Sequence, residues 1–331
     1  VSNLERRPAE TLADFTAPLD SAEAAGDAAL EILAPREVPL GGPRAMTVYR
    51  TLPQRRRSTI GAWCFIDHYG PDDVSTTGGM RVPPHPHTGL QTVSWLFQGE
   101  IEHHDSLGTA ALVRPGELNL MTAGHGISHS EASTGDTTVL HGAQLWLALP
   151  DADRETRPSF EHFVPEPARL GGATVRVFIG TLGELEASVG IFSPLVGAQI
   201  DLPAGCDVEL PLDAAFEHGV LVDSGSVTVD GAQLAHRELG YLEPGRQSVR
   251  LAANEDARVL LLGGAPLGEQ LVMWWNFIGR DHDEIVEHRA AWQGEVIDGG
   301  DPGGRFGTVD GYDGGPLPAP ELPTVRLKPR S

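Results

Sequence analysis

The chain has 331 residues and a net charge of -22, with Lys328 as its sole lysine, so no broad basic surface exists for a phosphate backbone and direct nucleic-acid binding is not expected. Hydrophobic residues make up 40% and charged residues 21%, with 40 Gly and 26 Pro, a length and turn-rich mix that argue against a helical bundle and for two all-β domains. Cys64 and Cys206 alone give no disulfide framework, and no stretch approaches about 18 apolar residues, so a cytoplasmic protein with no membrane partner is expected.

Residues 1–37 are acidic and alanine-rich and read as an N-terminal arm, with 21–33 forming one short helix capped by Ser21. From Arg44 the pattern changes to short runs rich in Val, Ile, Thr and Trp, broken by Gly, Pro and Asp clusters about every 8 to 12 residues. That rhythm predicts a sandwich or barrel, placed at 38–150. A weak internal repeat predicts a second copy. Residues 95–121 read strand, Gly99, strand, turn, strand, Pro115-Gly116, strand; residues 220–251 repeat the order with Gly225, the hairpin turn Asp230-Gly231 and Pro244-Gly245. Between the copies, Pro-rich and charged residues 151–173 read as a linker crossing the surface. The second barrel is placed at 174–293 and ends in a helix from Asp281 to Gln293, with Glu284 in the capping-box position. Residues 294–331 are Gly- and Pro-rich and are expected to form an extended tail.

Chemistry concentrates in the first barrel. Pro83-Pro84-His85-Pro86-His87 sets two imidazoles at i and i+2, which on a strand share one face and can meet one ion. His129 and Glu131, in Ile127-Ser128-His129-Ser130-Glu131, have the same spacing. Two such strands facing each other across a barrel would gather three neutral imidazoles and one carboxylate. That donor set suits a first-row divalent metal and leaves coordination positions open. A single His-x-His is more often a surface or packing feature; the two pairs together point to a site.

Gly79, His85-Pro86-His87 and Gln91, followed by Pro115-Gly116-Glu117-Leu118-Asn119-Leu120-Met121-Thr122-Ala123-Gly124, resemble the two cupin motifs in the form used by pirins. The stretch MTAGHGISHSE at 121–131 is highly specific to that family. The resemblance continues through Leu140-His141-Gly142-Ala143-Gln144-Leu145-Trp146 and, weakly, through Gly264-Ala265-Pro266-Leu267-Gly268-Glu269. It implies a bicupin: two cupin (double-stranded β-helix or jelly-roll) barrels with a short C-terminal helix. The first barrel would bind Fe(II), or else Mn, Ni, Cu or Zn, through His85, His87, His129 and Glu131, and the second would be metal-free. Some family members resemble quercetin 2,3-dioxygenases, which implies a metal-dependent dioxygenase acting on a flavonol-like aromatic substrate with dioxygen, Glu131 taking the substrate's hydroxyl proton as catalytic base. Eukaryotic members are nuclear transcriptional coregulators, which implies the alternative of a redox-sensing regulatory protein that binds a protein partner through a metal-dependent surface. Two positions depart from the pattern. Gln91 replaces the acidic residue common in the first motif, leaving Glu131 as the fourth ligand, and His125 stands where many pirins have Arg, altering the charge at the pocket rim.

Other residues carry weaker signals. Alternation turns one of His103 and His104 inward, where it could support a ligand. Phe65, Asp67, His68 and Tyr69 are expected in a turn that could wall a pocket. Glu284 and His288 sit one turn apart on the C-terminal helix and read as an exposed ion-pair face. Met273, Trp274, Trp275 and Phe277 read as an apolar seal between the barrels. His218 and His236 are expected to stand apart on strands of the second barrel.

Overall fold

The computed structural model describes residues 30–40 and 46–330. Short alternating strands close into two barrels of one plan, each a large sheet facing a smaller one. In the first barrel the large sheet runs Ser159–Phe163, Leu118–Thr122, Leu90–Gln98, Val139–Ala148, Trp63–Asp73, Met46–Leu52, Arg36–Leu40. Its small sheet runs Arg81–His87, Ile127–Ser133, Ile101–Asp105, Ala110–Val113. The second barrel centres its large sheet on Leu239–Leu242, Glu217–Ser224, Ala257–Gly264, Leu195–Leu202 and Ala173–Leu182, with Cys206–Pro211, Ser248–Ala253, Val227–Val229 and Ala232–Leu234 opposite. The repeat seen in the sequence is the same step in both barrels: Gly99 (φ 87) and Gly225 (φ 70) each let the chain leave the large sheet for the small one.

The two interiors differ in kind. The second barrel is filled by aliphatic side chains, among them Val175, Val196, Ile200, Val220, Val222, Leu251, Val259 and Leu261. The first is apolar at one end, around Met46, Val48, Leu96 and Leu140, and polar in the middle. The large sheets lie face to face, sealed by Trp63, Trp95, Phe178, Leu221, Leu260 and Leu262. Trp95 stacks on Phe178 at 4.5 Å and donates to Gln199 Oε1, while Trp63 Nε1 donates to carbonyls of the second barrel. Each such fully buried side chain contributes roughly 1.5–3 kcal/mol, so this seam holds the two barrels in one fixed relation.

Several expectations need correction. Of the helix expected at 21–33, residues 21–29 lie outside the described residues, and Glu31–Leu33 is a strand that pairs with Leu239–Leu242. An open sheet edge and a buried place for Leu33 outweigh a weak local preference. The stretch read as a linker contributes a strand to each barrel, Ser159–Phe163 beside Leu118–Thr122 and Ala168–Leu170 beside Ala173–Leu182. Met273, Trp274, Trp275 and Phe277 do not seal the barrels together. Phe277 packs with Ile285, Trp292 and Phe306, docking the C-terminal helix and tail on the first barrel. That helix spans His282–Trp292, with Asp281 accepting from Asp283 N and Glu284 N and Glu284 reaching back to Arg280 N. His236 lies in an exposed loop rather than on a strand.

Candidate metal centre

His85 and His87 lie on Arg81–His87, and His129 and Glu131 on the adjacent antiparallel strand Ile127–Ser133, with His129 opposite His85. The register slips between His129 and Glu131, so Glu131 faces Val82. Pro83 and Pro84 supply no backbone N–H to the ladder, which accounts for the bulge. All four side chains point into the barrel and are buried.

Three imidazoles converge. Ring centroids are 5.0 Å apart for His85 and His87, 4.4 Å for His85 and His129, and 5.0 Å for His87 and His129. His85 Nδ1 lies 2.9 Å from Pro83 O, and His87 Nδ1 lies 3.1 Å from Asn276 O. A carbonyl only accepts, so both Nδ1 atoms carry the proton and both Nε2 atoms present lone pairs inward. His87 Nε2 then faces His129 Nε2 at 3.1 Å. Two nitrogens each about 2.1 Å from an ion on neighbouring octahedral corners lie about 3.0 Å apart. The donor set therefore fits one metal ion, and the barrel holds a histidine-rich site suited to it.

Glu131 shares this cavity but is set differently. One ligand atom each from His85, His87 and His129 lie within 4.8 Å of one another, whereas Glu131 falls in an overlapping group with His103 and His129. Its Oε1 is 3.2 Å from Ser94 Oγ. Burial raises its pKa, opposed by His103 and by the Ser94 hydrogen bond. Burial lowers the pKa of all three histidines, His85 to about 3, so they are neutral and ready to ligate at neutral pH.

His103 is the inward member of its pair, while His104 lies on the other face beneath Gly311 of the tail. His103 Nδ1 is 3.4 Å from His129 Nδ1, and its Nε2 is 3.3 Å from Asp105 Oδ2. Asp105 Oδ1 accepts from Leu107 N and Thr109 N. With His129 Nε2 turned to an ion, one tautomer chain satisfies every group: His129 Nδ1–H to His103 Nδ1, then His103 Nε2–H to Asp105. Sequence reasoning singled out the His103 and His104 pair and missed Asp105, although the i, i+2 spacing of His103 and Asp105 was visible. Asn276, which orients His87 from the far half of the chain, carried no local signal.

Gln91 faces away from the imidazoles. Its amide donates to Thr122 Oγ1 and Gly190 O, and alternation puts it on the side of Val93 and Trp95. A carboxylate there would not join this group. His125 presents its backbone carbonyl to Arg305, and both line a separate cleft with Arg154, Glu284 and His288 rather than the cavity that holds His85, His87 and His129. The predicted turn at Phe65 is the strand Trp63–Asp73: Phe65 stacks on Trp146 at 4.1 Å, Asp67 and Tyr69 line the cavity, and His68 faces the seam. Glu284 pairs with Arg154, whereas His288 is buried beside Arg305, its pKa lowered by burial to about 4. Cys64 is buried, which pushes its thiol up to about 12 and makes it inert.

A second buried group crosses the seam. His68 Nε2 and His141 Nε2 lie 2.6 and 2.7 Å from Asp223 Oδ1, and Arg258 Nη1 lies 3.2 Å from Oδ2. Asp223 is thus already engaged by a guanidinium and by an aligned imidazole donor, a charge balance that suits a hydrogen-bonded tie between the barrels rather than a dication. His218 is buried in the second barrel and belongs to no such group among the described residues.

Two stacked barrels, one with converging imidazoles in its interior and one filled largely by aliphatic side chains, define a bicupin with a histidine-rich centre in its first barrel. The Pirin family model matches residues 45–147, and that of the Pirin C-terminal cupin domain matches residues 197–297. The chain belongs to the pirin family. It is 43% identical over 295 residues to a Pseudomonas aeruginosa protein named "Putative quercetin 2,3-dioxygenase", covering 89% of this chain and 91% of that one. It is 37% identical to a pirin-like protein of Caulobacter vibrioides, covering 74% and 88%. Among solved structures, quercetin 2,3-dioxygenase from Acinetobacter baumannii matches with a TM-score of 0.83 at 37% identity, covering 90% of this chain and 97% of that one. Among the described residues no helix is long and apolar enough to cross a membrane.

Proposed function

We propose that the protein is a metal-dependent dioxygenase of the quercetin 2,3-dioxygenase type, with His85, His87, His129 and Glu131 holding one divalent ion, Fe(II) by family resemblance. The observation that carries this reading is the convergence of three neutral imidazoles, two with tautomers fixed by carbonyls, beside a buried carboxylate. Support comes also from the Pseudomonas aeruginosa and Acinetobacter baumannii relatives named for this activity. When bound, the ion would supply Lewis acidity and one-electron chemistry toward dioxygen.

The chain's own residues supply the rest. His85 and His87 hold their rings through Pro83 and Asn276, and His129 through His103. Glu131, with its pKa raised by burial, takes the proton of a substrate hydroxyl and keeps it out of water. Leu40, Val48, Met80 and Val82 give the cavity an apolar wall suited to an aromatic ring. The free space is only about 20 Å³, room for one water, so a flavonol enters by displacing this wall. A reducing cytoplasm suits the two free cysteines.

The test is aerobic turnover of quercetin by iron-loaded protein, with metal content measured in parallel. His85→Ala is expected to lose both metal and turnover, and Glu131→Gln to lose at least 100-fold in kcat. Full activity after metal is stripped, or no dioxygen uptake with any polyphenol, rejects the reading.

A further inference from the structure

Three inward side chains leave the strand Trp63–Asp73 in alternation: Phe65, Asp67 and Tyr69. Two have evident partners. Phe65 stacks on Trp146, and Asp67 takes a two-pronged bond from Arg50 at 2.7 and 2.8 Å. The Tyr69 ring is fully buried, yet its hydroxyl meets no hydrogen-bond partner among the described residues. An O–H withdrawn from water and left unbonded is costly, and such groups are rare unless a ligand completes them.

The surroundings say where that ligand lies. Tyr69 lines the same small cavity as His85, His87, His129, Glu131 and Gln144. Across from it, Gly142 has no side chain; a Cβ there would stand 2.9 Å from the Tyr69 oxygen and 2.6 Å from Leu96 Cδ2. The bare glycine leaves the room that the hydroxyl occupies. Ser94 Oγ lies within hydrogen-bond distance of both Glu131 Oε1 and Gln144 Oε1 and, with a single proton, donates to one of them at a time, while Tyr69 is a donor without an acceptor among the described residues.

We propose that the Tyr69 hydroxyl donates a hydrogen bond to an oxygen atom of the molecule held beside the metal centre, and so selects oxygen-bearing chelators such as vicinal hydroxy-carbonyl compounds. This rests on the proposed metal site and extends the functional reading to the groups that recognise the substrate. The hydroxyl contributes to substrate affinity and orientation, and not to holding the fold or the metal.

The experiment uses the full chain loaded with Co(II), titrated without oxygen against quercetin and against acetohydroxamate, a small chelator with two adjacent oxygens. Tyr69→Phe removes only the hydroxyl. Expected is a roughly 10-fold or greater loss of affinity for at least one probe, unchanged metal content, and a melting temperature equal to or above the parent's. Equal affinities for both probes overturn the proposal. So does a fall in metal content or melting temperature that accounts for weaker binding, or a loaded parent protein that binds neither probe. If the parent turns over no substrate but Tyr69→Phe still weakens binding, the dioxygenase reading fails and the assignment of Tyr69 stands.

Discussion

Replacing Asp105 by Asn tests whether the chain from Asp105 through His103 to His129 sets the tautomer of a ligand. The carboxylate accepts three N–H groups: Leu107 N and Thr109 N on Oδ1, and His103 Nε2 on Oδ2. In Asp105→Asn the amide oxygen keeps the two backbone donors, and its NH₂ must then face His103. A donor would meet a donor, so His103 moves its proton to Nδ1 and points it at His129 Nδ1. His129 must in turn accept there and carry its own proton on Nε2, the atom that faces His87. The imidazole is left in the wrong form to ligate. Loss of such supporting partners costs roughly 10- to 100-fold in metal affinity, about 1.4–2.7 kcal/mol. Because the turn bonds survive, fold stability should change by less than about 1 kcal/mol. Competition against a calibrated chelator gives the affinity, and urea unfolding of the metal-free protein gives the stability. An unchanged affinity in a folded variant refutes the relay.

Two further outcomes follow from buried charge. In metal-free protein, His85, His87 and His129 have pKa values lowered by burial below the roughly 6.5 of the unfolded chain. Stability is therefore complete above about pH 6.5 and declines as pH falls, by up to about 1.4 kcal/mol per pH unit for each histidine; a urea midpoint that stays flat from pH 7 to pH 5 would contradict this. At the seam, burial raises the Asp223 carboxyl, but His141 and His68 outweigh it and hold the group below its ordinary range. Asp223→Ala leaves two buried imidazoles and Arg258 without their shared partner, so unfolding should become easier by about 3–5 kcal/mol, and a loss under about 1 kcal/mol would mean that the seam does not depend on this tie.

The fold was largely legible because its signals are local. Period-two alternation, Gly99 and Gly225 at matching steps, and the Asp281 cap each act within a few residues. The histidine pairs were legible for the same reason: i and i+2 on a strand leave from one face. The arm at Glu31–Leu33 and the segments around Ser159–Phe163 and Ala168–Leu170 were misread because their strands exist only when a distant edge offers backbone partners. Gln91 was assigned a bearing on the site that its outward face denies it.

Sequence alone determined the chemistry available: three imidazoles and a carboxylate at strand spacing, no disulfide framework, and no basic surface. Only the tertiary structure decided what that chemistry meets. The bulge opposite Pro83-Pro84 aims Glu131, a carbonyl more than 180 residues away orients His87, and Tyr69, whose hydroxyl has no partner among the described residues, lines the same space. A side chain's face is set by backbone geometry over two residues. Its neighbours across a barrel are set by which apolar surfaces bury one another, and that is a property of the whole chain.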